Sequence, residues 1–178
     1  RLADRLGRAA DAARYRTAAD TIAAAIAAKL VDPATSILRS SLEQTTSYLD
    51  AAAVAALRWD VVPADGAVAR ATLAAFDAGL AIGVTGHGYQ RNDDGGDYDR
   101  REWIAVDMWM AEAWRRAGHP ERAEPLIAWV TAQARLNFDL VPENYDRVTA
   151  DYQGEIPMVG FGAGAYVSAL WQRGGGTG

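Results

Sequence analysis

The chain contains no cysteine, only two histidines, three methionines and six prolines, and no long uninterrupted apolar run. Without cysteine there is no disulfide framework, no thiolate nucleophile and no thiolate metal site, and the redox compartment stays open. His87 and His119 are too few and too far apart for an imidazole metal site, so neither a metal nor another cofactor is expected. A membrane-spanning helix needs about 18 or more consecutive apolar residues, and the sequence offers none, so no membrane association is expected. The formal charge is −5, and arginines alternate with carboxylates without forming a basic stripe, which argues against a nucleic-acid partner. What is abundant is apolar and small: half of the 178 residues are hydrophobic and 38 are alanine. That is enough to bury a core, and it excludes a disordered chain.

Arg1 stands where an initiator methionine is not, and the reading expects a piece of a longer chain. No basic leader followed by an apolar stretch is visible; a cytoplasmic location is favoured over a secreted one and otherwise left open. Residues 1–173 are read as part of one domain and 174–178 as a flexible tail.

Helical periodicity and punctuation predict six helices. Arg8–Leu30 has Ala12, Tyr15, Ala19, Ile22 and Ile26 at helical spacing and stops before Asp32-Pro33. Ser47 is placed to cap a second helix running through Leu49, Ala53 and Leu57 to Pro63. Asp65 is placed to cap a third, Ala67–Leu80. A fourth covers Glu102–Ala117 with Gly118 as its stop, a fifth opens on Pro120 and runs to Phe138, and a sixth spans Gly162–Trp171. Gly83–Gln90 and Glu155–Val159 have extended character but no partner of matching alternation. The fold class is therefore all-α, with helical hairpins joined alternately by short and long loops. The long ones, Ala81–Arg101 and Asp139–Phe161, mix aromatics and charges, as functional loops do.

Those loops hold the candidate residues. Glu143 follows Pro142 and precedes Tyr145, where a held carboxylate beside a phenol can polarise water as a general base. The competing reading has Glu143 capping a turn or pairing with Arg147. Arg91 carries forked donors suited to vicinal sugar hydroxyls or a carboxylate. Trp103 has an aromatic face for a pyranose ring, and Glu102 can accept hydroxyl hydrogen bonds. Against this, Arg91 can pair with Asp93 or Asp94, Glu102 can be a first-turn helix charge, and Trp103 can be core. Trp109, Trp114, Trp129, Met108 and Met110 read as packing. Gly160–Ala165 fits a dinucleotide-binding turn only formally, and a close helix approach or a helix start is the better reading. Asn92–Asp97 fails the EF-hand spacing.

Taken in order, these segments resemble the C-terminal half of the catalytic domain of glycoside hydrolase family 15, the glucoamylases, glucodextranases and some bacterial trehalases. The resemblance begins with Leu6-Gly7-Arg8, Asp11-Ala12, Ala19-Asp20 and Leu49-Asp50-Ala51-Ala52. It continues through the twelve-residue interval from Arg91 to Trp103 and the Ala-Gly-His-Pro-Glu-Arg-Ala turn, and closes on Pro142-Glu143-Asn144-Tyr145-Asp146. Asn144 departs from the family's usual glutamine or glutamate, and Gly160–Tyr166 is richer in glycine than its glucoamylase counterpart.

The resemblance implies about half of an (α/α)6 barrel and an inverting, exo-acting α-glucoside hydrolase releasing glucose from non-reducing ends. Glu143 maps to the general base, and Arg91, Glu102, Trp103 and Tyr145 to substrate-binding positions. The general acid has no counterpart in this chain, so the partners implied are an α-glucoside and either the N-terminal half of the same domain or a second copy. This piece alone is expected to be inactive. Alternatives are another helical-barrel carbohydrate enzyme, such as a trehalase or sugar epimerase, or a non-catalytic helical-repeat binding module. The sequence shows no 30–45-residue self-similarity of the kind a repeat protein has.

Overall fold

The computed structural model of the chain describes residues 1–46, 48–83, 87–153 and 158–176, with the backbone alone for residue 153. Among them the structure is mostly helical. In chain order there are α1 (Leu2–Arg5), α2 (Ala9–Lys29), a 3-10 turn (Ala51–Val54) leading into α3 (Ala55–Arg58), and α4 (Ala67–Gly79). After β1 (Glu102–Trp103) come α5 (Ile104–Arg116) and α6 (Pro120–Leu136), then β2 (Asn144–Tyr145), β3 (Tyr152–Gln153) and α7 (Gly160–Arg173).

Helix α5 is the centre of the core: it packs against α6, α7 and α3, and ten of its thirteen residues are buried. Met108 and Met110 are fully buried, and Trp114 is buried beside them, as a packing role requires. Trp109 and Trp129 pack against the same core while partly buried. Phe76, Leu73, Leu57 and Ile127 complete it, each with almost no exposed surface; full burial of such a side chain contributes roughly 1.5–3 kcal/mol. The helix ends as its sequence dictates. Gly118 takes a left-handed φ of 84°, its N–H bonds the Arg115 carbonyl, and the His119 N–H bonds the Trp114 carbonyl at 2.9 Å. These two bonds satisfy carbonyls that the end of the helix would leave open. Pro120 then opens α6 where its missing N–H costs nothing.

Several local expectations are corrected. The apolar stripe of α2 does not form a core face: Ala12 is its only buried residue, Ile26 is partly buried against the core, and Tyr15 and Ile22 are exposed. The second helix is much shorter than expected. Ser47 lies outside the described residues, and Asp50 is extended and caps the turn through the Ala52 N–H at 2.9 Å. Residue 50 cannot be helical because it forms a β-bridge with Asn92, and the Ala51 N–H donates to the Arg91 carbonyl. Helix α4 starts after Gly66 with no side-chain cap; Asp65 instead offers its backbone carbonyl to the Arg70 guanidinium at 2.5 Å. Helix α6 stops at Leu136, because Phe138 and Asp139 both adopt positive φ. Helix α7 begins at Gly160, as the helix-start reading of that glycine run expects.

The largest departure is a small antiparallel sheet of order β1-β2-β3. Glu102 and Trp103 form a strand, so Glu102 is not a first-turn helix charge, and α5 starts only at Ile104. Asp146 shapes the turn between β2 and β3, its Oδ1 accepting the N–H groups of Val148 and Thr149 at 2.8 Å each. Of the two segments with extended character, residues 84–86 and 155–157 lie outside the described residues. Tyr89 bridges Ala81 and Gln90 bridges Glu102, while the Val159 N–H donates to the Val141 carbonyl.

Candidate functional site

The small sheet gathers the candidate residues. Glu102 lies opposite Tyr145, and Trp103 opposite Asn144. Opposed residues of an antiparallel pair project to the same face, so Glu102 and Tyr145 share one side and Trp103 and Asn144 the other. The Ile104 N–H extends the ladder to the Glu143 carbonyl at 3.3 Å. On the other flank of β1, Gln90 bridges Glu102, and the Trp103 N–H donates to the Tyr89 carbonyl at 3.0 Å. The segment carrying Arg91 and the segment carrying Glu143 therefore run on either side of β1. Strand spacing puts their backbones roughly 10 Å apart.

Arg91 stacks on Trp103, its guanidinium carbon 5.3 Å from the ring centroid. It pairs with Asp99 at 3.2 Å rather than with Asp93 or Asp94, and its side chain is nearly half exposed. The Asp93 carboxylate is instead used by the Leu49 N–H. Trp103 belongs to the core, with its indole N–H on the Tyr98 carbonyl at 3.2 Å and the Tyr98 ring edge-on at 4.9 Å. Arg91 is thus the member of the pair that solvent or a ligand reaches first.

Glu143 sits at a bend just ahead of β2 and is buried, with Oε2 lacking any hydrogen-bond partner. No ion pair among the described residues engages it, and the turn that follows is capped by Asp146, so neither competing role for Glu143 is seen. Tyr145 is buried with an unpartnered hydroxyl. Burial, then the nearby Glu102 and Asp107 carboxyl groups, push its phenol well above the ordinary value.

Sequence reading singled out Glu102 but missed Asp107, His87 and Trp129 as members of this centre. Glu102 is fully buried, accepting the Trp129 indole N–H on Oε1 at 2.5 Å. Behind it Asp107, also fully buried, accepts the Tyr89 N–H on Oδ1 at 2.7 Å. The second oxygens, Glu102 Oε2 and Asp107 Oδ2, have no partner. Burial raises both carboxyl groups above the ordinary range, Asp107 most, and Glu102 adds to the shift of Asp107 by repulsion and hydrogen bonding. His87 lies flat on Trp129, centroids 3.5 Å apart and planes within 5°; burial lowers its pKa, and its Nδ1 is unpartnered. Buried polar atoms without partners are rare in folded chains. Here those of His87, Glu102, Asp107, Glu143, Asn144 and Tyr145 collect around one small sheet. The available signal was an aspartate inside the apolar run Ile104–Met110, where a solvated helix face would not be.

Among the described residues no group of three or more acidic or histidine side chains is arranged to hold a metal ion. No helix there is long and apolar enough to cross a membrane. A cavity of about 500 Å³ adjoins the Gly88–Tyr89 segment, lined by Asp77, Ile82, Gly88, Tyr89, Arg122 and Leu126 among others. Compared with known proteins, the chain matches no family model and no curated sequence.

Proposed function

We propose that the chain forms part of an inverting hydrolase of α-glucosides, with Glu143 as the general base that activates water. The observation that carries this reading is the Glu143 carboxyl group. It is buried, one oxygen lacks any partner, and its backbone carbonyl accepts the Ile104 N–H, one residue along the chain from the Trp103 on which Arg91 stacks. A carboxylate with a spare acceptor lone pair in a largely desolvated position is what removal of a proton from water needs. Arg91, exposed and backed by an indole, offers paired donors to sugar hydroxyls. Tyr145 and Glu102 are both buried and share the face of the sheet opposite to Trp103.

An inverting mechanism also needs an acid on the opposite side of the glycosidic oxygen, roughly 6.5–9.5 Å from the base. The reading assigns that acid to a further part of the same domain, which would complete an (α/α)6 barrel of which these helices are about half. Apolar side chains left exposed on α1 and its C-cap (Leu2, Leu6), on α2 (Tyr15, Ile22) and on α7 (Phe161, Val167, Trp171) support faces meant to meet other helices. The test is the first sugar released by the full-length protein from maltose, isomaltose and trehalose, followed by proton NMR. Release of the non-reducing-end unit as β-glucose before mutarotation, seen as β in excess of the reducing-end mixture from maltose or isomaltose or as equal α and β from trehalose, supports the reading; release of that unit as α-glucose, or no glucose from any of the three, removes it.

A further inference from the structure

Gly88 is the point where two buried acids meet. Its φ is +56°, and a Cβ built there would lie 2.6 Å from both Asp107 carboxylate oxygens and 2.7 Å from the Glu102 carboxyl carbon. Both carboxyl groups thus close on one glycine. The donors reaching them are Trp129 Nε1–H from α6, on Glu102, and the Tyr89 N–H from the neighbouring segment, on Asp107. The titratable groups around the pair are Tyr145 from β2, with its hydroxyl unpartnered, and His87, stacked on the indole that serves Glu102. Among the described residues no arginine or lysine acts on either carboxyl group. Two carboxylates in such a setting cannot both be charged; one proton between them removes the repulsion and makes a hydrogen bond between the two carboxyl groups.

We propose that Asp107 is a positioning residue: a single proton held between its carboxyl group and that of Glu102 locks the Gly88–Arg91 segment onto β1 and α5, and so presents Arg91 over Trp103. This rests on the hydrolase reading only for what Arg91 then binds. The lock itself is a property of the folded chain. Asp107 takes hold of the segment at the Tyr89 N–H, the carbonyl of Tyr89 is held by the Trp103 N–H, and Arg91 follows two residues on. Gly88 also lines the neighbouring cavity, which gives the proton a route to solvent. Loss of the proton to hydroxide leaves two like charges on one glycine and loosens the segment.

The sign follows from the raised carboxyl groups. A group whose folded pKa lies above its unfolded value stabilises the fold fully below the unfolded value, and that contribution is lost as pH rises through the folded value. The lock is closed at acidic pH and opens as pH rises beyond the ordinary carboxylate range.

Infrared spectroscopy of the full-length protein without substrate, combined with amide hydrogen exchange of residues 87–91, tests the proposal. The wild type should show the carbonyl band of a buried protonated carboxylic acid, and this band should disappear on alkalinisation. Exchange of the Tyr89 amide, corrected for its intrinsic pH dependence, should accelerate about tenfold for each unit beyond that transition. Asp107→Asn keeps an acceptor for Tyr89 and donates to Glu102, so it should lose the band and make the exchange independent of pH. A wild type without the band, or an Asp107→Asn protein with the same alkaline acceleration, overturns the proposal. Because no substrate is present, either result is separable from failure of the hydrolase assignment.

Discussion

Glu102 and Tyr145 lie directly opposite one another across β1 and β2, both buried. A carboxyl group and a phenol delivered by two separate long loops thereby face the same interior, with Glu143 one position ahead of β2. The sheet that accomplishes this has two residues per strand, and its role is to fix the register between loops rather than to form a layer.

The glycine under this arrangement should tolerate no side chain. Gly88→Ala imposes a left-handed φ on a residue with a Cβ and drives that Cβ into the Asp107 and Glu102 carboxyl groups. The expected loss is at least about 2 kcal/mol of unfolding free energy. Gly83→Ala, with no atom of the described residues within 4 Å of the added Cβ, is the control and should change little. Urea unfolding of the two variants checks this, and equal stability would contradict the packing described around Gly88.

Arg91 should matter through its shape more than its charge. Arg91→Lys keeps a cation over Trp103 but loses the planar fork, so KM for an accepted glycoside should rise roughly tenfold, about 1.4 kcal/mol, with kcat less affected. Steady-state kinetics decides: equal KM values would remove Arg91 from substrate binding.

Much of this organisation is legible in the sequence, and the reasons it stops being so are physical. Proline and glycine punctuation locates α5 and α6, because Gly118 and Pro120 act through local backbone geometry. The late start at the Ala51 3-10 turn is not legible, since what keeps Asp50 out of a helix is its bridge to Asn92 and the backbone bond between Ala51 and Arg91, far apart in sequence. Strands of two residues carry no alternation to detect, so Glu102 reads as a helix charge. Asp107 hides for the opposite reason. Its place in the apolar run Ile104–Met110 hints at burial, but the approach of Gly88 and Tyr89, distant in sequence, is what joins it to Glu102.

Away from the site, Asp32 provides a pH test of the local geometry. Its carboxylate accepts Arg39 Nη2 at 2.6 Å and the N–H groups of Ala34 and Thr35. The arginine first, then the two backbone donors, hold its pKa down at about 2. A depressed carboxylate stabilises the fold above its unfolded value, and this contribution is lost as pH falls through the folded one. Carboxyl-carbon NMR titration should place Asp32 near 2 in the wild type and distinctly higher in Arg39→Ala. Identical titrations would show that the ion pair does not form in solution.

The central claim is that the Glu143 carboxylate removes a proton from the attacking water, and kcat of Glu143→Gln in the full-length protein tests it most directly. The substitution keeps size and polarity but cannot accept the proton, so kcat should fall by about 10²–10⁴-fold while KM stays within a few-fold of wild type. A variant that hydrolyses the same glycoside at the wild-type rate would contradict the account.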